Sequence, residues 1–123
     1  HSMPATVRIG ETGLRPDFIV GDRFGTSCSG ALTEHALRAL SAMGYTVAHN
    51  KPYAGGHITE RYGRPARGFH ALQIEINRGL YMNETTLART GGFTALAEDL
   101  TQLAAELTQL PPEHLNGLPL AAE

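Results

Sequence analysis

The first half of the chain alternates between strand and helix patterns in an order that few folds accommodate. Residues 17–20 have the pattern of a short buried strand, and residues 45–49 form a second strand pattern. Between them, residues 31–43 place apolar side chains on one helical face, namely Leu32, Ala36, Leu37, Ala39, Leu40 and Met43. Ser29 suits the N-cap of this helix, and Gly44 suits a left-handed C-cap. Parallel strands need such a crossover, so the pattern predicts an α/β fold.

A third strand pattern, at residues 71–76, carries a carboxylate inside an apolar run. Side chains alternate in direction along a strand. The apolar face comprises Leu72, Ile74 and Ile76, and the polar face comprises Gln73, Glu75 and Asn77. A carboxylate among isoleucines is poorly solvated unless a metal, an arginine or a catalytic water compensates. Two interpretations of Glu75 follow, a functional carboxylate or a member of a simply hydrated face.

A longer helix pattern follows in the last third of the chain. Apolar residues recur there at steps of three and four: Phe93, Leu96, Ala97, Leu100, Leu103, Ala104 and Leu107. Such a stripe is typical of an amphipathic helix of about four turns that packs on a core. Pro111 and Pro112 end this helix, and residues 111–123 are predicted to form a weakly ordered tail.

The segments between these elements are predicted loops. Residues 5–15 form one loop, and residues 21–24 and 50–57 follow the first two strands directly. Open α/β sheets bind ligands at the carboxyl ends of their strands. We therefore expect the loops at residues 21–24 and 50–57 to lie at the same end of the sheet as Asn77 and Arg78, which end the third strand.

Composition narrows the class of protein. The chain has 123 residues and a formal net charge of -2, so it carries no basic excess for binding nucleic acid or an anionic membrane surface. No run approaches the roughly 20 apolar residues of a membrane span. The one cysteine, Cys28, cannot form an internal disulfide, which fits a reducing cytoplasm. We expect one cytoplasmic domain with a small-molecule ligand.

Several blocks of the sequence resemble one enzyme family. They are HSMP at residues 1–4, PDFIVGDRFGTSC at 16–28, NKPYAGGHIT at 50–59, YGRP at 62–65 and HALQIEINRGLYM at 70–82. In this order, the blocks resemble the C-terminal half of N-formylglutamate amidohydrolases, also called N-formylglutamate deformylases. The resemblance assigns residues 1–110 to that half of a catalytic domain. Its first residues, His1 to Met3, are either part of a strand of this domain or a remnant of an expression tag.

The resemblance implies a fold and a cofactor. The fold is a partial three-layer α/β/α mixed sheet of the zinc carboxypeptidase or phosphorylase/hydrolase-like type. The cofactor is one Zn²⁺ ion, with His1 as a ligand and the remaining ligands in an absent N-terminal half. Glu75 matches the late-strand glutamate that serves as general base and acid. A terminal histidine also chelates metal through its own amine and ring, which is a competing explanation for any metal binding by His1.

The implied substrate is an N-acyl amino acid with two carboxylates, N-formyl-L-glutamate. The planar fork of arginine binds carboxylates through paired hydrogen bonds. The residues in the matching blocks that suit substrate binding are Arg23, Tyr53, His57, Arg64, Asn77 and Arg78. The implied reaction releases formate and L-glutamate in histidine catabolism.

Other functions remain open beside this one. The chain is alternatively a non-catalytic α/β module that binds a carboxylate ligand or a partner chain, and residues 1–123 alone are expected to be inactive. A half-domain exposes a sheet edge, so self-association is a further expectation. Nucleophilic catalysis by Cys28 is disfavoured because no histidine lies near it in sequence, and we expect Cys28 to pack at the start of the first helix.

Overall fold

The computed structural model describes residues 1–6 and 14–116. The strands within these ranges are β1 (Ser2–Met3), β2 (Phe18–Gly21), β3 (Val47–His49) and β4 (Gln73–Asn77). The helices are α1 (Gly30–Ala42), α2 (His57–Tyr62), α3 (Gly92–Thr108) and α4 (Pro112–Leu115), with 3₁₀ turns at Pro65–Arg67 and Arg78–Leu80. Most of the predicted loop at residues 5–15, and the tail from residue 117 onwards, lie outside the described residues.

The described strands form one mixed sheet in the order β1-β4-β2-β3. Strands β2 and β3 are parallel and are joined through α1, which confirms the predicted strand–helix–strand unit. Strand β4 lies between β1 and β2, parallel to the former and antiparallel to the latter. The α/β class is therefore confirmed, and the specific three-layer arrangement stays a prediction.

Local sequence signals account for the ends of α1. The Ser29 hydroxyl accepts a hydrogen bond from the backbone N–H of Leu32 at 3.4 Å, as an N-cap does. Gly44 follows the helix with a φ of +95°, a conformation that costs glycine little because it has no Cβ atom. Both predicted caps are confirmed, and the predicted helix is displaced by one residue at each end.

The hydrophobic core lies between one face of the sheet and the helices α1 and α3. Its buried members are Phe18, Val20, Ala36, Ala39, Leu40, Leu96 and Leu103. The predicted apolar face packs against this core through Leu72, which directly precedes β4, and through Ile74 and Ile76 of β4. In α3, the alanines at positions 97 and 104 are exposed, so the leucines carry the packing against the core, and Phe93 instead packs edge-on against Tyr81.

Strand β3 begins at Val47, two residues later than predicted, because Tyr45 packs against Phe18 and binds Asp99 instead. The Tyr45 ring packs edge-on against Phe18 with 4.8 Å between centroids, and its hydroxyl donates to the Asp99 carboxylate at 2.5 Å. Burial, followed by the hydrogen bond and charge of Asp99, raises the pKa of Tyr45 to about 12. The segment before β3 is thereby connected to α3.

The direction of β4 overturns one expectation about the loops. Because β4 runs antiparallel to β2, its last residue Asn77 lies beside the start of β2. There, the Asn77 backbone N–H donates to the Asp17 carbonyl at 2.8 Å, and its side-chain amide donates to the Pro16 carbonyl at 3.3 Å. The prediction that Asn77 and Arg78 share an edge with the loops after β2 and β3 was wrong. Those loops lie at the opposite end of the strands, where β2 and β3 terminate.

Close backbone contact holds the loop after β3 against the end of β2. The Arg23 backbone N–H donates to the Ala54 carbonyl at 2.7 Å. A Cβ atom on Gly21 would lie 2.7 Å from the carbonyl carbon of Ala54. Only glycine leaves room for the two segments at this position.

We expect Gly21→Ala to destabilise the protein by about 1–3 kcal/mol, because the added methyl group meets backbone that cannot rotate away. Urea unfolding monitored by circular dichroism measures this change. Gly30→Ala is the matched control, since a Cβ atom there meets nothing within 4 Å at the first residue of α1. The control is expected to stay within about 0.5 kcal/mol of the original protein. Equal stability of the two variants would contradict the close-contact argument.

The sheet formed by the described residues has two outer strands, and an outer strand can pair with another chain. Strands β1 and β3 occupy the outer positions of the sheet, and self-association through an edge stays a prediction. Residues 112–115, within the predicted tail, form the single turn of α4. Among the described helices, none combines the length and the apolar character needed to cross a membrane.

Candidate functional site

Glu75 lies on the polar face of the sheet, opposite the hydrophobic core. Its side chain is only 8% exposed, and its cross-strand neighbour on β2 is the fully buried Ile19. Burial raises the pKa of Glu75, and the positive charges of the amine of His1 and of Arg78 only partly offset this effect. The predicted poorly solvated carboxylate is therefore present, and the simply hydrated alternative does not describe it.

Two side chains contact the Glu75 carboxylate, and both reach the same oxygen. The Gln73 amide donates to Oε1 at 3.0 Å, and the His1 Nδ1 atom lies 3.3 Å from Oε1. His1 comes close because β1 runs parallel to β4 and pairs Ser2 with Ile76, which places the preceding residues side by side. The structure thus brings together the predicted base and the predicted metal ligand.

The donor atoms suit only part of a zinc site. The His1 side chain is 62% exposed, so its imidazole is accessible to an ion. Within residues 1–6 and 14–116, however, no group of three or more histidine, cysteine, aspartate or glutamate side chains is placed to hold a metal. Structural and catalytic zinc sites need at least three protein ligands. The described residues therefore fit one ligand and a neighbouring carboxylate, and the Zn²⁺ ion stays a prediction.

Three of the predicted substrate-binding residues lie on the segments that follow β2 and β3. Arg23 follows β2, and its guanidinium lies 3.5 Å from the Glu60 carboxylate. Tyr53 lies in the loop after β3, with the Arg15 guanidinium 6.0 Å from its ring centroid. His57 is exposed at the first residue of α2. The same loop reaches the polar face, since a Cβ atom on Gly56 would lie 3.4 Å from the Gln73 amide oxygen.

The other three predicted substrate-binding residues take part in local structure. Arg64 donates to the carbonyl oxygens of Glu60 and Gly63 at 2.8 and 2.7 Å. The Asn77 side-chain oxygen accepts from the Gly79 backbone N–H at 2.9 Å and caps the 3₁₀ turn. Arg78 donates to Ser2 and lies 3.6 Å from the Glu84 carboxylate. These contacts favour roles in the fold over contact with substrate.

A buried network around Asp22 went unnoticed in the sequence. Its Oδ1 atom accepts hydrogen bonds from Asn50 Nδ2 at 2.7 Å and from the Gly25 backbone N–H at 2.9 Å. Its Oδ2 atom accepts from the Thr33 hydroxyl at 2.9 Å and lies 3.0 Å from His49 Nε2. Asp22 thereby joins the ends of β2 and β3 to α1. The available signal was an acidic residue directly after a fully apolar strand.

The hydrogen bonds decide the charge state of this carboxylate. Burial alone would raise the pKa of Asp22, but the hydrogen bonds from Asn50, Gly25, Thr33 and His49 outweigh it and lower the pKa to about 2. Asp22 is therefore ionised at neutral pH despite a side chain that is 4% exposed. A fixed, fully satisfied carboxylate of this kind is a structural element.

This network also supports an unusual turn. Arg23, Phe24 and Gly25 have φ values of +52°, +56° and +80°, which are left-handed conformations. Such conformations cost roughly 1–2 kcal/mol for each residue with a side chain. The turn is held by hydrogen bonds from the backbone N–H groups of Thr26 and Ser27 to the Asp22 carbonyl, at 3.1 and 3.0 Å. Strain of this size is typical of segments at functional sites, and this turn contains Arg23, one of the predicted substrate-binding residues.

Cys28 and His70 lie at the beginning of α1. The Cys28 thiol is buried and lies 3.2 Å from the Thr33 hydroxyl, and burial raises the pKa of the thiol. A reactive cysteine has the opposite property, a lowered pKa. The His70 Nδ1 atom accepts from the Ser29 backbone N–H at 3.0 Å. Cys28 packs at the start of the helix, as predicted, and His70 binds the backbone of the N-cap residue there.

In comparisons with known proteins, the chain matches N-formylglutamate amidohydrolases and deformylases. A family model described as N-formylglutamate amidohydrolase matches residues 1–82. An N-formylglutamate deformylase of Pseudomonas putida is 42% identical over 74 residues, and one of Pseudomonas aeruginosa is 40% identical over 86 residues. These matches cover 59% and 68% of the present chain.

A solved structure matches a longer part of the chain than the two Pseudomonas proteins do. The crystal structure of N-formylglutamate amidohydrolase from Ralstonia eutropha JMP134 matches with a TM-score of 0.83 and 42% sequence identity over 89% of the present chain. The matched parts amount to 28% and 32% of the two Pseudomonas proteins and 40% of the Ralstonia chain. The chain therefore spans well under half the length of these relatives.

Proposed function

The chain belongs to the N-formylglutamate amidohydrolase family, and from this we propose that it supplies part of the active site of a metal-dependent hydrolase. The proposed reaction cleaves N-formyl-L-glutamate to formate and L-glutamate, as a step of histidine breakdown. The observation that carries the proposal is the position of Glu75, which is buried on the polar face of the sheet beside His1.

Amide hydrolysis needs a base for water and an acid for the departing amine. One carboxylate performs both tasks when it first accepts the proton of water and then donates it to the leaving nitrogen. Burial favours this role for Glu75, because it raises the pKa of the carboxyl towards the pH at which the reaction runs. Its low exposure also limits competition from bulk water.

His1 is the proposed contribution of this chain to a Zn²⁺ site. The ion, when bound, would polarise the formyl oxygen and lower the pKa of a water molecule. His1 is accessible and lies beside Glu75, which supports a ligand role. The described residues offer no group of three metal-binding side chains, so we further propose that residues 1–123 alone do not release formate.

Substrate binding is assigned to the segments after β2 and β3. We propose that Arg23 binds a carboxylate of the substrate, because its left-handed turn presents it beside the loop that reaches Gln73. Tyr53 and His57 belong to the adjoining loop and helix start and are proposed as polar contacts. The internal hydrogen bonds of Arg64, Asn77 and Arg78 argue against the same role for them.

A second candidate function is a non-catalytic module that binds carboxylates. The observation that favours it is the incomplete set of metal-binding side chains within the described residues. Such a module would bind N-formyl-L-glutamate without cleaving it. Calorimetric binding and formate release therefore distinguish the two candidates.

We expect formate release from N-formyl-L-glutamate to stop when the protein that carries this chain is dialysed against a chelator, and to return on addition of Zn²⁺. The reason is that Glu75 can deprotonate water at a useful rate only when the pKa of that water has been lowered. Formate is measured with a coupled dehydrogenase assay. Release that is indifferent to chelation would contradict the metal, and binding without release in the zinc-loaded protein would favour the non-catalytic module.

A further inference from the structure

We propose that Gln73 is a positioning residue for the reaction, which holds Oε1 of Glu75 and leaves Oε2 to transfer the proton. This inference rests on the proposed function. The observation behind it is the 3.0 Å hydrogen bond from the Gln73 amide nitrogen to Oε1, on a face where the two side chains lie two residues apart along β4.

The two oxygens of the carboxylate differ in their surroundings. Oε1 receives the Gln73 hydrogen bond and also lies 3.3 Å from His1 Nδ1. The Gln73 hydrogen bond engages a lone pair of Oε1, and His1 crowds the same oxygen, so Oε2 is the oxygen better able to accept a proton. A base works best when the reacting oxygen has one defined direction, and the Gln73 contact supplies that direction.

The other end of the Gln73 side chain lies beside the loop after β3. In the sheet Gln73 pairs with Gly21, whose missing side chain lets the loop after β3 approach the strand. In that loop, a Cβ atom on Gly56 would lie 3.4 Å from the Gln73 amide oxygen. The Gln73 side chain therefore lies between the loop backbone and the Glu75 carboxylate. Its position connects the proposed substrate-binding loop to the proposed base.

The chemistry of the amide suits this function. A neutral donor orients a carboxylate without adding a charge that would draw the proton away from it. An arginine or lysine in the same place would favour the ionised carboxylate more strongly and make it a weaker base. Gln73 thus fixes the orientation of the Glu75 carboxylate without placing a charge beside it.

The test replaces Gln73 with methionine, which keeps the length of the side chain and removes the donor. We expect Gln73→Met to lower kcat for formate release by about 10- to 100-fold in the zinc-loaded protein, because the base loses its orientation, while KM stays within about twofold. Gln73→Asn, which retains an amide but is too short for the contact, is the second variant if methionine impairs folding, and the same loss is expected of it.

A matched control and an independent measurement complete the test. Gln102 makes the same kind of hydrogen bond, to Glu106 at 2.9 Å on the exposed side of α3, so Gln102→Met should leave kcat unchanged. The NMR signals of the Gln73 side-chain amide report the contact without any turnover, and we expect them to change in Glu75→Ala. Unchanged kcat in both Gln73 variants, or unchanged amide signals in Glu75→Ala, would overturn the proposal. If the unaltered, zinc-loaded protein that carries this chain released no formate, the proposed function would fail, and the amide signals alone would still decide whether the contact exists.

Discussion

Replacing Glu75 with glutamine is expected to lower kcat for formate release by about 10²- to 10⁴-fold, the range that general acid–base catalysis contributes. Glutamine has nearly the same shape but cannot take a proton from water at neutral pH. Its side-chain oxygen can still accept the hydrogen bond that Gln73 donates to Oε1. The loss should therefore fall on chemistry and leave the architecture of the site in place.

Folding stability separates this effect from simple damage. Glu75 is a buried carboxylate whose pKa is raised, so its ionised form contributes unfavourably to stability. Glu75→Gln should thus unfold at the same urea concentration as the original protein or a higher one. Glu98→Gln, on an exposed position of α3, is the matched control and should retain full activity. A kcat for Glu75→Gln within tenfold of the original value would refute the role of Glu75 as the base.

The Asp22→Ala variant is expected to lose about 3–5 kcal/mol of the free energy of unfolding, the cost of breaking a buried charged network. The substitution leaves the Thr33 hydroxyl, the Gly25 backbone N–H and the Asn50 amide without their acceptor in a buried place. It also removes support from the left-handed turn that contains Arg23. Urea unfolding measures the loss.

An exposed aspartate provides the comparison for Asp22. The Asp17 carboxylate also accepts two hydrogen bonds, both from Thr46, but at the protein surface. Asp17→Ala should cost only about 1 kcal/mol, because water replaces the lost acceptor. Similar losses of unfolding free energy in Asp22→Ala and Asp17→Ala would contradict the stabilising role of the Asp22 network.

The pH dependence of stability gives a second measure of the same network. The pKa of Asp22 falls from its ordinary value of 3.8 to about 2 on folding. A lowered carboxyl pKa contributes stability above pH 3.8, and the contribution is lost as the pH falls towards 2. The contribution is about 2 kcal/mol, and it should be missing from Asp22→Ala, whose stability then varies less over this window. Parallel stability curves for the two proteins between pH 4 and pH 2 would contradict the assignment.

Elements that depend on neighbouring residues could be predicted well. Helix α1 begins after Ser29 and is followed by the left-handed Gly44, as their capping preferences indicate. The alternation along β4 correctly separated Glu75 from the core-facing isoleucines. The resemblance to N-formylglutamate amidohydrolases, based on short blocks in a set order, is confirmed by the family match over residues 1–82.

Contacts between distant residues could not be predicted in the same way. The Asp22–Asn50 hydrogen bonds join residues 28 positions apart, and no local pattern marks them as partners. Arg64 and Arg78 were selected because arginine binds carboxylates, and Asn77 was selected as a polar contact, yet all three bind carbonyl, amide or carboxylate groups within the fold. The residue type determines which groups a side chain can bind, but the fold determines which of these groups lies beside it.

The amino-acid sequence alone therefore determined the main elements β2, α1, β3, β4 and α3, the apolar faces of α1 and β4, and the family that the chain resembles. These properties depend on periodicity and on capping over a few residues. Only the tertiary structure decided that β4 runs antiparallel to β2, which moved Asn77 and Arg78 to the far edge and set Glu75 between Ile19 and His1. The physical reason is that the direction and neighbours of a strand are set by long-range backbone pairing and by burial against the whole sheet, and a single strand carries neither in its own pattern.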